Sequence, residues 1–123
     1  MGWIPSIFEN TKAKGDYFER QAEHFLSQQG LTLISRNYHC KFGEIDLIMQ
    51  DKTTLVFVEV KYRKSNAFGG ALNALSQTKQ QRLTRTLMYY LKQHNLESSA
   101  FRVDFVAING QNPYQFTWLK SVF

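Results

Sequence analysis

Two short apolar runs carry charge where burial should forbid it, and no other feature constrains the chain as strongly. Gly43-Glu-Ile-Asp-Leu-Ile48 and Leu55-Val-Phe-Val-Glu-Val-Lys61 both read as strands, yet Asp46, Glu59 and Lys61 interrupt them. A buried carboxylate or ammonium without a partner is too costly to keep, so such groups pair with one another or hold a cation. Strand side chains alternate between faces, which puts Glu44 with Asp46 on one face and Glu59 with Lys61 on one face of the second strand. If the runs pair about the Gln50–Thr53 turn, the charges converge on one patch of sheet. A plain cross-strand ion pair on a solvated face would stabilise the sheet by about 1 kcal/mol or less. The surroundings argue for more than that. Val56, Phe57, Val58 and Val60 are apolar on both faces, as in a central strand.

The remaining elements follow from periodicity. Phe18, Ala22, Phe25 and Leu26 form an apolar stripe that predicts a helix from Asp16 to about Gln29. Asp16 and Glu19 resemble a capping box at its start, and Gly30 ends it. Lys12 to Gly15 reads as a lead-in. The first ten or so residues show no period, and residues 1–14 are read as an N-terminal arm, flexible or folded back through Trp3, Ile7 and Phe8. Strands are expected over Leu31–Tyr38, Glu44–Gln50 and Thr54–Tyr62, with a turn from His39 to Gly43. A loop from Arg63 to Gly70, basic and glycine-containing, leads to a helix over Gln77–His94 striped by Leu83, Leu87, Tyr90 and Leu91. Arg82, Arg85 and Lys92 fall opposite that stripe, while Lys79 lies at its edge and can reach back to the sheet. A fourth strand is expected at Arg102–Ile108 and a fifth, at an edge, over Tyr114–Leu119, with Asn109-Gly110 opening the turn between them. The order helix, three strands, helix, strand, strand predicts an α/β fold with a mixed sheet, in a single domain spanning residues 1–123.

Charge is distributed unevenly. The net value is +5, but the seven basic residues from Lys61 to Lys92 face no acid before Glu97. A one-sided basic segment is the footprint of a polyanion binder; the plainer alternative is a solvated basic helix. One cysteine, Cys40, excludes an internal disulfide framework. No apolar run approaches a membrane span, nothing resembles a signal peptide, and a cytoplasmic protein without a membrane partner is expected. Thiol catalysis, a zinc site and a phosphate-binding glycine loop all lack their spacing. Carboxylates beside a lysine favour Mg²⁺ or Mn²⁺ instead.

These residues carry a resemblance. Asp46, a gap, then Glu59-Val60-Lys61 resembles the nuclease superfamily named for its PD-(D/E)xK pattern, and the element order resembles its restriction-endonuclease-like core. Gly15-x-x-x-Glu19-x-x-Ala22, Gly43-Glu-Ile-Asp-Leu-Ile48, Phe57-Val-Glu-Val-Lys61-x-Arg63, Lys79-x-x-Arg82-Leu83 and Arg102-x-Asp104 are together similar to the YraN family, itself similar to archaeal Holliday-junction resolvases. The name-giving proline is absent, since Ile45 precedes Asp46.

The resemblance implies a metal-dependent endonuclease acting on DNA, branched DNA included, with a homodimer as the symmetric way to cut two strands. Asp46 and Glu59, with the Val60 carbonyl, would ligate the metal, and Lys61 would orient or deprotonate the attacking water or stabilise charge. Glu19 would complete the acidic cluster, unless capping is its whole role. Glu44 is either a ligand or an outer partner. Arg63, Lys64, Lys79, Arg82 and Arg85 are the candidates for nucleic-acid contact. The rival reading is a nucleic-acid-binding module on the same fold, without useful turnover; loss of cleavage with retained binding separates the two.

Overall fold

Phe18, Ala22 and Leu26, four residues apart, are all buried on one side of helix α1, Thr11–Gln28. The computed structural model describes residues 11–64 and 75–123. The readings made for residues 1–10 and for the loop at 65–70 lie outside the described residues. The helix begins a turn earlier than its sequence predicts. Lys12 and Asp16 form an ion pair of 3.3 Å one turn apart, so Asp16 lies inside the helix rather than capping it. The capping-box reading of Asp16 and Glu19 is therefore corrected, and Lys12 to Gly15 is helix rather than lead-in. At the other end Gly30 takes φ of 101°. The Leu31 amide then reaches the Leu26 carbonyl at 3.1 Å and the Gly30 amide reaches that of Ser27 at 3.1 Å, which closes the last turn and turns the chain into the sheet.

Five strands follow: β1 (Thr32–Cys40), β2 (Gly43–Asp51), β3 (Thr54–Arg63), then helix α2 (Gln77–Gln93), β4 (Phe101–Gly110) and β5 (Tyr114–Leu119). They lie side by side in sequence order. β1, β2 and β3 form an antiparallel meander, β3 and β4 are parallel, and β5 returns antiparallel to β4. The parallel pair requires a crossover, and α2 lies within it. The architecture is α/β, with a five-stranded mixed sheet and two helices, compatible with a restriction-endonuclease-like core. The β1–β2 and β4–β5 hairpins are tighter than their sequences predict. Cys40 pairs with Gly43, leaving Lys41 and Phe42 as the tip, and Asn109 and Gly110 belong to β4, paired with Gln115 and Tyr114.

Alternation along the strands separates two cores. Leu47, Met49, Val56, Val58, Val106 and Ile108 pack with Phe18, Ala22 and Leu26 of α1. Ile48, Leu55, Phe57 and Val103 pack on Leu83, Leu87, Tyr90 and Leu91 of α2. The centre of β3 is buried on both faces, which explains its unbroken apolar run. Ser76 caps α2, its hydroxyl accepting the Lys79 amide at 3.3 Å. Away from the cleft described below, Asp104 is wholly buried. It accepts from Arg102 Nε at 3.0 Å, Trp118 Nε1 at 2.9 Å and the Ser121 amide at 3.0 Å. Arg102 also reaches Asp51 at 3.1 Å. This ties β4, β5, the C-terminal segment and the end of β2 to one carboxylate.

Candidate active site

β2 and β3 pair from Asp51 opposite Thr54 to Leu47 opposite Val58. Beyond that point the Val60 amide donates not to a backbone carbonyl but to Asp46 Oδ2, at 2.9 Å. A side chain has replaced a rung of the ladder, so the Asp46 carboxylate sits in the fork between two strands. The apolar neighbours show a matching irregularity. Ile45 and Ile48 both pack on the α2 side, whereas Leu47 and Met49 face α1. A group in such a fork is open to partners from both faces of the sheet.

Partners arrive from both. Glu59 shares the α2-side face with Phe57, and its carboxyl stands against that of Asp46. Glu19, one residue past Phe18 on α1, brings its carboxyl against Asp46 as well. Burial, and then the Asp46 charge, raises the Glu19 carboxyl to about 8. The same two causes push the Glu59 carboxyl up, while Lys79 and Lys61 pull it down. Glu19 Oε1 is buried and has no hydrogen-bond partner. Glu44 is exposed at the rim, where its charge also bears on Glu19. Three carboxyl groups crowded about one fork, one with an orphaned oxygen, form a site that lacks positive charge.

That charge is partly supplied by lysines. Lys61 lies two residues beyond Glu59 on the same face, and Lys79 reaches it from α2. Burial, and then the like charge of Lys79, lowers the Lys61 ammonium from its usual value. An ammonium held between carboxylates and a second cation is positioned to orient water and to stabilise negative charge that develops beside it. The cluster opens into a cleft of about 590 Å³, lined by Lys14, Glu19, Glu44, Asp46, Glu59, Lys61, Arg63, Lys79 and Arg82 among others. Acid thus lies at the floor and base along the walls.

The sequence-derived set divides here. Glu19, Glu44, Asp46, Glu59, Val60, Lys61, Arg63, Lys79 and Arg82 all line the cleft. Arg82 therefore flanks it rather than pointing directly away from the helix stripe. Lys64 is exposed beyond the lining, and Arg85 lies on another flank of α2 with Gln81, Thr84 and Phe123. Lys14 was missed. It lies in the cleft, 5.4 Å above the Tyr62 ring. The signal was present, because Thr11, Gly15 and Phe18 continue the helical stripe backwards, and treating these residues as a lead-in hid it.

Among the described residues no three His, Cys, Asp or Glu side chains are spaced as a complete metal cage. Asp46 and Glu59 with a backbone carbonyl form the smaller set that suits Mg²⁺, which keeps several waters. The crowded carboxyls and the orphaned Glu19 oxygen fit such a cation.

Residues 18–108 match the profile of uncharacterised protein family UPF0102. A UPF0102 protein of Pseudoalteromonas translucida is 51% identical over 123 residues, covering 100% of both chains. One from Colwellia psychrerythraea is 50% identical over 113 residues, 89% of this chain and 88% of its own. One from Nitrosomonas europaea is 46% identical over 110 residues, 89% and 92% respectively. Among the described residues no helix is long and apolar enough to cross a membrane.

Proposed function

The chain belongs to the UPF0102 family, whose description assigns no activity, and from that premise we propose that it is a metal-dependent endonuclease that hydrolyses DNA phosphodiester bonds in the cytoplasm. The observation that carries this reading is the fork. Asp46 replaces a ladder rung and gathers Glu59 and Glu19, with Lys61 beside them, at the floor of a cleft walled by bases. The PD-(D/E)xK resemblance, and the finer one to the YraN family, agree with it.

Asp46, Glu59 and the Val60 carbonyl would hold Mg²⁺ or Mn²⁺, which when bound supplies Lewis acidity towards a phosphoryl oxygen and acidifies water. The rest is done by the chain. Lys61 would orient the attacking water or help to deprotonate it, or would stabilise charge developing on the phosphoryl group. Lys14, Arg63, Lys79 and Arg82 would seat the phosphates that flank the scissile bond. Glu19 keeps a proton while the cluster is crowded, and so stands against Asp46 without adding a further negative charge. Partial burial of the fork strengthens each of these interactions relative to open water.

The test is a cleavage screen over single-stranded, duplex, flap and four-way DNA with Mg²⁺ or Mn²⁺. Metal-dependent products that disappear in Asp46→Asn support the reading; equal cleavage by that variant, or none by wild type on any substrate, overturns it.

A further inference from the structure

We propose that Phe42 and Tyr89 form a base-stacking shelf that holds an unpaired nucleotide beside the cleft, so that the preferred substrate carries a single-stranded arm. The inference rests on nucleic acid being the ligand of the cleft. It begins from two aromatics that the hydrophobic core does not need. Phe42 at the tip of the β1–β2 hairpin is 37% exposed and Tyr89 on α2 is 38% exposed. Their rings meet edge to face, 5.6 Å apart, which leaves ring surface open to solvent. Tyr89 lies outside the α2 core stripe, whose buried members are Leu83, Thr86, Leu87, Tyr90 and Leu91.

The shelf is held firmly. Gly43 follows Phe42 with φ of 151°, and a Cβ there would stand 3.0 Å from Thr86 Oγ1 and 3.1 Å from Arg82 Cγ. The hairpin tip therefore rests directly on α2, and a side chain at Gly43 would lift it. Thr86 is fully buried and donates its hydroxyl to the Arg82 carbonyl at 2.8 Å. A rigid aromatic surface costs little ordering when a base stacks on it.

Its position relative to the cleft points to the ligand. Lys79, Arg82, Thr86 and Tyr89 recur at helical spacing, so one flank of α2 runs from the cleft wall to the shelf. The ten steps from Lys79 to Tyr89 span about 15 Å at the helical rise, roughly the length of four stacked nucleotides. Gly43 itself lines the cleft. Lys41 Nζ lies 5.3 Å from the Phe42 ring centre, and α2 contains no acidic residue. Cations followed by an aromatic platform are the two parts of a single-strand site, since phosphates meet the first and base faces the second. Duplex DNA offers phosphates but keeps its base faces stacked inside.

The experiment measures affinity in chelator, where no cleavage occurs. The probes are a labelled oligodeoxythymidine of roughly 12 nucleotides, within the range of small single-strand sites, and a duplex of equal length. Phe42→Ala and Tyr89→Leu should each weaken single-strand binding about tenfold and change duplex binding less than about twofold. The slope of affinity against salt should stay as in wild type, because stacking releases no counterions. Phe42→Tyr and Tyr89→Phe, which keep a ring, should bind as wild type does. Equal losses on both probes, no loss on either, or no oligonucleotide binding by wild type would overturn the shelf. The outcomes separate this inference from the nuclease reading. Selective single-strand loss without any metal-dependent cleavage keeps the shelf and removes the enzyme, whereas cleavage with indifferent Phe42 and Tyr89 variants does the reverse.

Discussion

Asp46 does two jobs that conflict in a metal-free protein: it stands in for a backbone acceptor towards Val60, and it crowds two other carboxyls. The consequence appears in the pH dependence of stability. Glu19, raised from 4.5 to about 8, holds its proton more tightly folded than unfolded. Its contribution is complete below pH 4.5 and is lost as pH rises through about 8. Glu59 is shifted in the same direction. Metal-free protein should thus lose Tm between these limits, at roughly 4 °C for each kcal/mol in a domain of this size. Excess Mg²⁺ should restore the loss at the alkaline end, and Glu19→Gln should flatten the profile. Thermal melts across the pH range, with and without Mg²⁺, check this; a Tm that climbs steadily towards pH 8 without metal would contradict it. At the same scale, Asp46→Asn or Lys61→Ala should reduce cleavage roughly 100-fold or more. DNA affinity should remain, because these groups act chiefly on the transition state.

At the scale of elements, the strands were legible because period and composition agreed, and the site residues because their charges violated that pattern. Val56, Phe57 and Val58 announced a strand covered on both faces, so Glu59 and Lys61 stood out within it. The fork itself was not legible. Nothing in the local sequence around Asp46 says that its side chain replaces a rung, since that depends on where β3 stops pairing. Helix α1 was shortened for a similar reason. Gly15 and Asp16 look like a boundary, but the Lys12–Asp16 pair and the burial of Phe18 carry the helix past them. Arg102-x-Asp104 was visible as a motif, yet its role as a clamp depends on Trp118 and Ser121 arriving from β5 and beyond. Asp104→Ala should therefore cost about 3 kcal/mol or more, by leaving the Arg102 cation and the Trp118 N–H without their buried acceptor. Urea unfolding of wild type and variant measures it. A change below about 1 kcal/mol would mean the clamp is replaceable.

For the molecule as a whole, the arrangement of charge matters more than its sum. The chain carries +5, but acid is concentrated at the cleft floor while Lys14, Arg63, Lys79 and Arg82 stand around it. Arg85, which the sequence places in the same basic run, lies with Phe123 on a separate flank. Position rather than charge should therefore decide which cations bind phosphate. If four phosphates are neutralised, log affinity should fall with log salt at a slope of about −3.6. Affinity would then drop roughly 100-fold between about 50 and 200 mM salt. Lys79→Ala with Arg82→Ala should reduce the slope by about two, whereas Arg85→Ala should leave it nearly unchanged. Turnover at saturating DNA should survive the loss of Arg82 better than it survives the loss of Lys61, because ground-state phosphate contacts act mainly through binding. Titrations of labelled DNA at several salt concentrations, with folding checked by circular dichroism, separate these effects. An Arg85→Ala slope as reduced as that of the double variant would move the DNA path out of the cleft and across the outer flank of α2.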